Sequence, residues 1–153
     1  MDKTDIIPEK KNGISTLAVD GIVYGLVSGA VMFISLAVLA LLSGETLGTI
    51  LERFSGGSVA SPVLGLAGHL GVSAIYGALF GVLVWPVLTR LASRKISGWI
   101  GGILYGGFLL LLAQVAILPW TNSPLSQFPF WQWALVHAIY GAVLGGLFAR
   151  NVD

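Results

Sequence analysis

Between Lys95 and Arg150 the chain reads ISGWIGGILYGGFLLLLAQVAILPWTNSPLSQFPFWQWALVHAIYGAVLGGLFA, residues 96–149, without one Asp, Glu, Lys or Arg. An ionisable side chain at the centre of a bilayer costs at least about 2.5 kcal/mol, and a helix needs about 20 apolar residues to cross the hydrocarbon core. This run is therefore membrane sequence, and too long for one crossing. It is interrupted by Pro119-Trp120-Thr121-Asn122-Ser123-Pro124, with Pro129 just beyond, and each proline removes a backbone donor and discourages helix. Two spans follow, 97–118 and 130–149.

The same test applied outward finds two more. No charged residue lies between Asp20 and Glu45, which holds a span at 17–42. None lies between Arg53 and Arg90, where the polar turn Ser55-Gly56-Gly57-Ser58 and Ser61-Pro62 leaves a span at 63–88. The fold expected is an all-α, polytopic membrane protein of four transmembrane helices. Residues 1–16 read as a mobile arm and 150–153 as a short tail. In Glu45–Phe54 the residues Leu47, Ile50, Leu51 and Phe54 recur at helical spacing, which predicts a short amphipathic helix, either flat in the outer interface or packed over the bundle ends.

Composition agrees. Of 153 residues, 56% are hydrophobic and 10% charged, against about 25% charged in a soluble domain. The length suits one domain. The absence of Cys excludes a disulfide scaffold and thiolate metal sites. A net charge of +1 gives no basic field to attract nucleic acid.

Four spans put both termini and the second connection on one side. That side carries Lys3, Lys10, Lys11, Arg90, Arg94, Lys95 and Arg150, and the other only Arg53. Positive loops stay in the cytoplasm, so both termini are expected there. Trp85 and Trp99 are then expected at the inner headgroup level, and Trp120, Trp131 and Trp133 at the outer. Asp20 is expected to cap the first helix, where a carboxylate suits the helix dipole.

Each of the 4 tyrosines precedes a glycine: Tyr24-Gly25, Tyr76-Gly77, Tyr105-Gly106 and Tyr140-Gly141. Around them small residues recur at every fourth position, as Gly21, Gly25, Gly29; Ser73, Gly77, Gly81; Gly98, Gly102, Gly106; and His137, Gly141, Gly145, Ala149. Ala74-Ile75-Tyr76-Gly77-Ala78 matches Ala138-Ile139-Tyr140-Gly141-Ala142, which reads as a duplicated helical hairpin. Lipid tails are as apolar as leucine, so helices in a bilayer associate through close backbone contact along such rows. The tyrosine hydroxyls are expected to bond carbonyls across the seams. The other reading of the phenols is a lining for a quinone, a haem or a proton path.

Three polar residues lie inside the spans. At 1.5 Å per residue, His69 falls about 10 Å beyond Pro62, His137 about 9 Å beyond Trp131 and Gln114 about 6 Å below Leu118, all in the outer third. The histidines are expected to bond across helices as neutral rings. The alternative is haem b held by His69 and His137, with a quinone near Gln114. In the repeat His69 matches Trp133 and His137 matches Ser73, and the two rings are expected on different helix faces. No catalytic triad, HExxH motif or phosphate-binding glycine loop is present, and no carboxylate lies near a span centre for proton coupling.

The His137–Gly145 segment HAIYGAVLG, the Leu118-Pro119 break and Gly68-His69 resemble small bacterial four-helix inner-membrane proteins of unknown function, in the DUF6789-like and YagU-like DUF1440 groups. The resemblance covers about residues 17–149. It implies a bacterial inner-membrane location and lends no catalytic residue. The function expected is a non-catalytic accessory or structural subunit of a larger, energy-transducing membrane complex, with lipid and other integral membrane subunits as partners and no cofactor. The alternatives are the haem b or quinone redox subunit and a small-solute channel or carrier.

Overall fold

The computed structural model describes residues 13–55 and 61–150. The greater part of the N-terminal arm, the Gly56–Ala60 part of the polar turn and residues 151–153 lie outside them. The described residues form five helices. Helix α1 is Ile14–Leu42 and the short α2 is Leu47–Ser55. Helix α3 begins as Pro62–Leu79, widens into a π-helical turn at Phe80–Val84 and continues as Trp85–Leu91. Helix α4 repeats that plan, Arg94–Leu112, a π turn at Ala113–Ile117, then Leu118–Thr121. A 3-10 turn, Pro124–Gln127, leads into α5, Phe130–Arg150. Helices α1, α3, α4 and α5 are each long and apolar enough to cross a membrane.

The rods overrun the charge-free windows. Helix α1 starts at Ile14 with Gly13 at its N-cap, so Asp20 is an interior, half-buried residue and not the cap. A helix that leaves the bilayer goes on satisfying its own backbone, and charge marks the membrane boundary without marking the helix end. Helix α4 likewise passes through Pro119 to Thr121. Each π turn ends two residues before a proline, Pro86 or Pro119. The wider turn redistributes the carbonyls that a missing proline N–H would strand, and so keeps a membrane helix continuous.

Ends are closed by local chemistry. After α1 the Gly44 N–H bonds the Leu41 carbonyl and the Glu45 N–H bonds that of Ala40, both at 3.0 Å, a Schellman pair that requires the left-handed φ of +85° at Gly44. Asn122, at φ 47°, ends α4 in the same region. Between α3 and α4, Ser97 Oγ donates to the Leu88 carbonyl at 2.9 Å.

Packing sorts the rods into two antiparallel hairpins, α1 with α3 and α4 with α5, joined mainly through α1 and α5. In the first, a Cβ placed on Gly21, Gly25 or Gly77 would strike the backbone of the facing helix, and one on Gly29 would strike Ser73. In the second, Gly98 faces Gly145, Gly102 faces Gly141, and Gly106 faces the His137 carbonyl, again with no room for a Cβ. These are the contacts by which apolar rods hold together in lipid. Between α3 and α4 backbone contact is marginal. That flank is bridged instead by Tyr105, whose hydroxyl donates to the Tyr76 carbonyl at 2.9 Å. Tyr140 donates to the Ser73 carbonyl at 2.8 Å and ties α5 to α3.

One end of the bundle is filled by Phe80, Trp85, Tyr105 and Phe148, with ring centroids 5.1–6.3 Å apart. Trp85 is thus a core residue, 5% exposed, and not a free headgroup anchor. Trp133 is also buried, its indole N–H donating to the Leu125 carbonyl at 3.1 Å. Trp99, Trp120 and Trp131 are exposed. An indole leaves the interface when aromatic partners and a carbonyl satisfy it inside.

Candidate functional site

At the opposite end the helices do not fill the bundle. A cavity of about 280 Å³ lies between the hairpins, walled by Val72 and Tyr76 from α3, Leu109 and Ala113 from α4, and Trp133 from α5. His69 and His137 both line it. The two rings expected on different faces therefore share one space. The reason lies in the seams. His69 is four residues before Ser73 and so extends the Ser73, Gly77, Gly81 row, as His137 heads the Gly141, Gly145 row. Each row turns toward its hairpin partner, and the two hairpins face each other across the cavity.

Each histidine is fixed by one carbonyl. His69 Nε2 lies 2.8 Å from the carbonyl of Gly29, across the α1–α3 seam. His137 Nδ1 lies 2.8 Å from the carbonyl of Trp133, one turn back in its own helix. The first bond is inter-helical as expected, and the second is not. A carbonyl oxygen only accepts, so the proton sits on Nε2 of His69 and on Nδ1 of His137. Ring packing holds both planes. Phe54 of α2 meets His69 edge-on with centroids 5.0 Å apart, and the Trp133 ring lies 5.2 Å from His137.

Helix α2 covers the His69 side. Its Ile50 is fully buried, and Gly65 of α3 admits the Leu51 carbonyl so closely that a Cβ there would collide with it. Arg53 pairs with Glu45 at 2.7 Å and stacks over Phe128 at 4.6 Å from the ring centre. The helix is thus tied to the turn before α5 and packs over the bundle end.

Of the tyrosines, Tyr76 and Tyr140 line the cavity. The Tyr140 hydroxyl is bonded to Ser73; that of Tyr76 has no hydrogen-bond partner among the described residues. Tyr24 packs edge-on against Phe148, centroids 5.0 Å apart. Gln114 is half-buried in the α4 π turn and does not line the cavity. Sequence reasoning passed over Gln132, which is 3% exposed with its amide oxygen unpartnered among the described residues. It also missed the cavity itself, whose signal was the every-fourth spacing that places His69 on a seam row.

The histidine pair fits haem b poorly. Nε2 of His69 is held by Gly29, and about 280 Å³ is below the ~300–1,000 Å³ of sites for drug-sized ligands. Among the described residues no group of three or more His, Cys, Asp or Glu gathers around a metal position. What the wall can do is bury a small, mostly apolar molecule and address it with a few fixed polar groups. No protein-family model, curated protein or solved structure matches this chain.

Proposed function

We propose that the protein is a non-catalytic, multi-pass protein of a bacterial inner membrane that holds a small, mostly apolar molecule between its two hairpins, as an accessory subunit of a larger membrane assembly. Its termini lie in the cytoplasm under the charge bias of its loops, which places the cavity in the outer half of the bilayer. The observation that carries this reading is the cavity, left open in a bundle whose other end is packed solid with aromatic rings. Gly68 is exposed, Val72 is 48% exposed and Ile117 37%, although all three also line the cavity. The mouth therefore opens between α3 and α4, toward lipid. The exposed apolar faces outside the seams, Ile75, Leu104 and Leu111 among them, can seat another subunit as readily as lipid. A quinol-type headgroup is compatible with the wall, without Gln114. A channel is disfavoured by the aromatic plug beyond Tyr76 and Tyr140.

The test is native mass spectrometry of the protein extracted gently from its own membrane. The expected result is a stoichiometric small molecule on the wild-type chain, lost from Ala113→Trp, whose indole fills the cavity, while circular dichroism shows the helices intact. Bare polypeptide mass in both proteins overturns the ligand-holding reading. Absence of any co-extracted membrane subunit overturns the accessory one.

A further inference from the structure

We infer that the cavity selects a neutral ligand that donates hydrogen bonds, a hydroxyl compound such as a phenol, a hydroquinone or a long-chain alcohol, over the matching ether, ketone or quinone. The inference rests on the ligand-holding reading above and adds the polarity of the ligand.

In a neutral imidazole one nitrogen is a donor and the other an acceptor. With the donors committed to the Gly29 and Trp133 carbonyls, the nitrogens left over, Nδ1 of His69 and Nε2 of His137, are lone-pair acceptors. Neither has a hydrogen-bond partner among the described residues, and both rings line the cavity. Among the described residues the cavity lining contains no carboxylate and no cation, so none of them stabilises a charged ligand, and burying one unpaired is costly. Tyr140 and Ser73 have spent their hydroxyl protons on carbonyls. Among the described residues of the wall Tyr76 alone retains a free hydroxyl donor, and as a hydroxyl it can accept as well. The wall therefore offers two obligate acceptors and one group of either kind. A ligand with only carbonyl or ether oxygens can satisfy Tyr76 and leaves both imidazoles unpaired; one with hydroxyl protons satisfies an imidazole directly. Sites built around hydrogen-bonding groups reject analogues that leave those groups unpaired.

The experiment uses the full chain in phosphatidylcholine nanodiscs, with 1-naphthol and 1-methoxynaphthalene as a matched pair and empty nanodiscs as the partition blank. Tryptophan quenching gives the affinities, and nitrogen-15 spectra of the histidine rings report which nitrogen is engaged. The expected result is about tenfold tighter binding of the naphthol, with the unprotonated nitrogen of at least one ring shifting for the naphthol and not for the ether. His69→Phe and His137→Phe together should erase the preference. Equal affinity for the two probes overturns the inference while leaving the cavity a ligand site. Preferential naphthol binding with unmoved ring signals also overturns it, by removing the histidines from recognition. Binding of neither probe above the blank overturns the ligand-holding reading, and this inference with it. The comparison of probes on the wild-type chain decides the matter even if the double variant does not fold.

Discussion

Gly44 turns the chain at φ +85° with open space around its α-carbon. A methyl there meets nothing, so the cost of Gly44→Ala is conformational alone, about 1–2 kcal/mol. The expected outcome is a lower unfolding temperature in detergent, with Gly68→Ala, also in open space but at ordinary helical φ, serving as a control for loss of glycine. His69 shows what could be read at this scale. Its bond across helices was expected from the sequence and is present, to the Gly29 carbonyl. Its face was not legible, because the Tyr-Gly pairs set the repeat frame and His69 lies one step beyond the small residues on its row. Asp20 failed for a different reason: a lone carboxylate near a boundary is read as a cap only when the helix stops there, and α1 begins at Ile14.

Between elements, the seams are where substitution is least tolerated. A side chain on Gly141 would drive into the Gly102 carbonyl and the Gly106 N–H, both backbone groups that cannot swing aside. Gly141→Leu is expected to part α4 from α5 at a cost of about 3 kcal/mol or more, seen as loss of the compact form on mild-detergent gel electrophoresis. Gly107→Leu, where a Cβ meets nothing, should migrate as wild type. The rows themselves were legible because close approach in lipid demands small residues at every fourth position, and little else produces that pattern. Pro124 and Pro129 do separate the two spans, and Pro119 alone was misread. Pro119 looked like a stop because in water a helix that loses a donor can end and hydrate its carbonyls, whereas here the π turn at Ala113–Ile117 absorbs the defect and α4 runs on. No local sequence rule distinguishes the two outcomes; the surroundings of the helix do.

For the molecule as a whole, four apolar rods were legible from charge spacing and the proline-rich break at 119–129, and the cavity was not, because it depends on how far apart α3 and α4 stand. That spacing is set by tyrosine and aromatic contacts between hairpins, which have no period in the sequence. The proposed orientation makes a direct prediction in a chain with 0 Cys. Trp120→Cys and Leu91→Cys place single thiols at exposed positions, 89% and 78% accessible, at opposite ends of the bundle. A membrane-impermeant thiol reagent should label the first in intact cells and the second only after lysis, and the reverse pattern would invert the topology. The marginal contact between α3 and α4 has one more effect. A guest that enters through that flank never has to be delivered from water: it dissolves among the acyl chains first and meets the protein by diffusing sideways. Occupancy then follows moles of guest per mole of phospholipid, so diluting a proteoliposome suspension with buffer would leave a strongly lipophilic guest in place, and diluting it with empty vesicles would strip it.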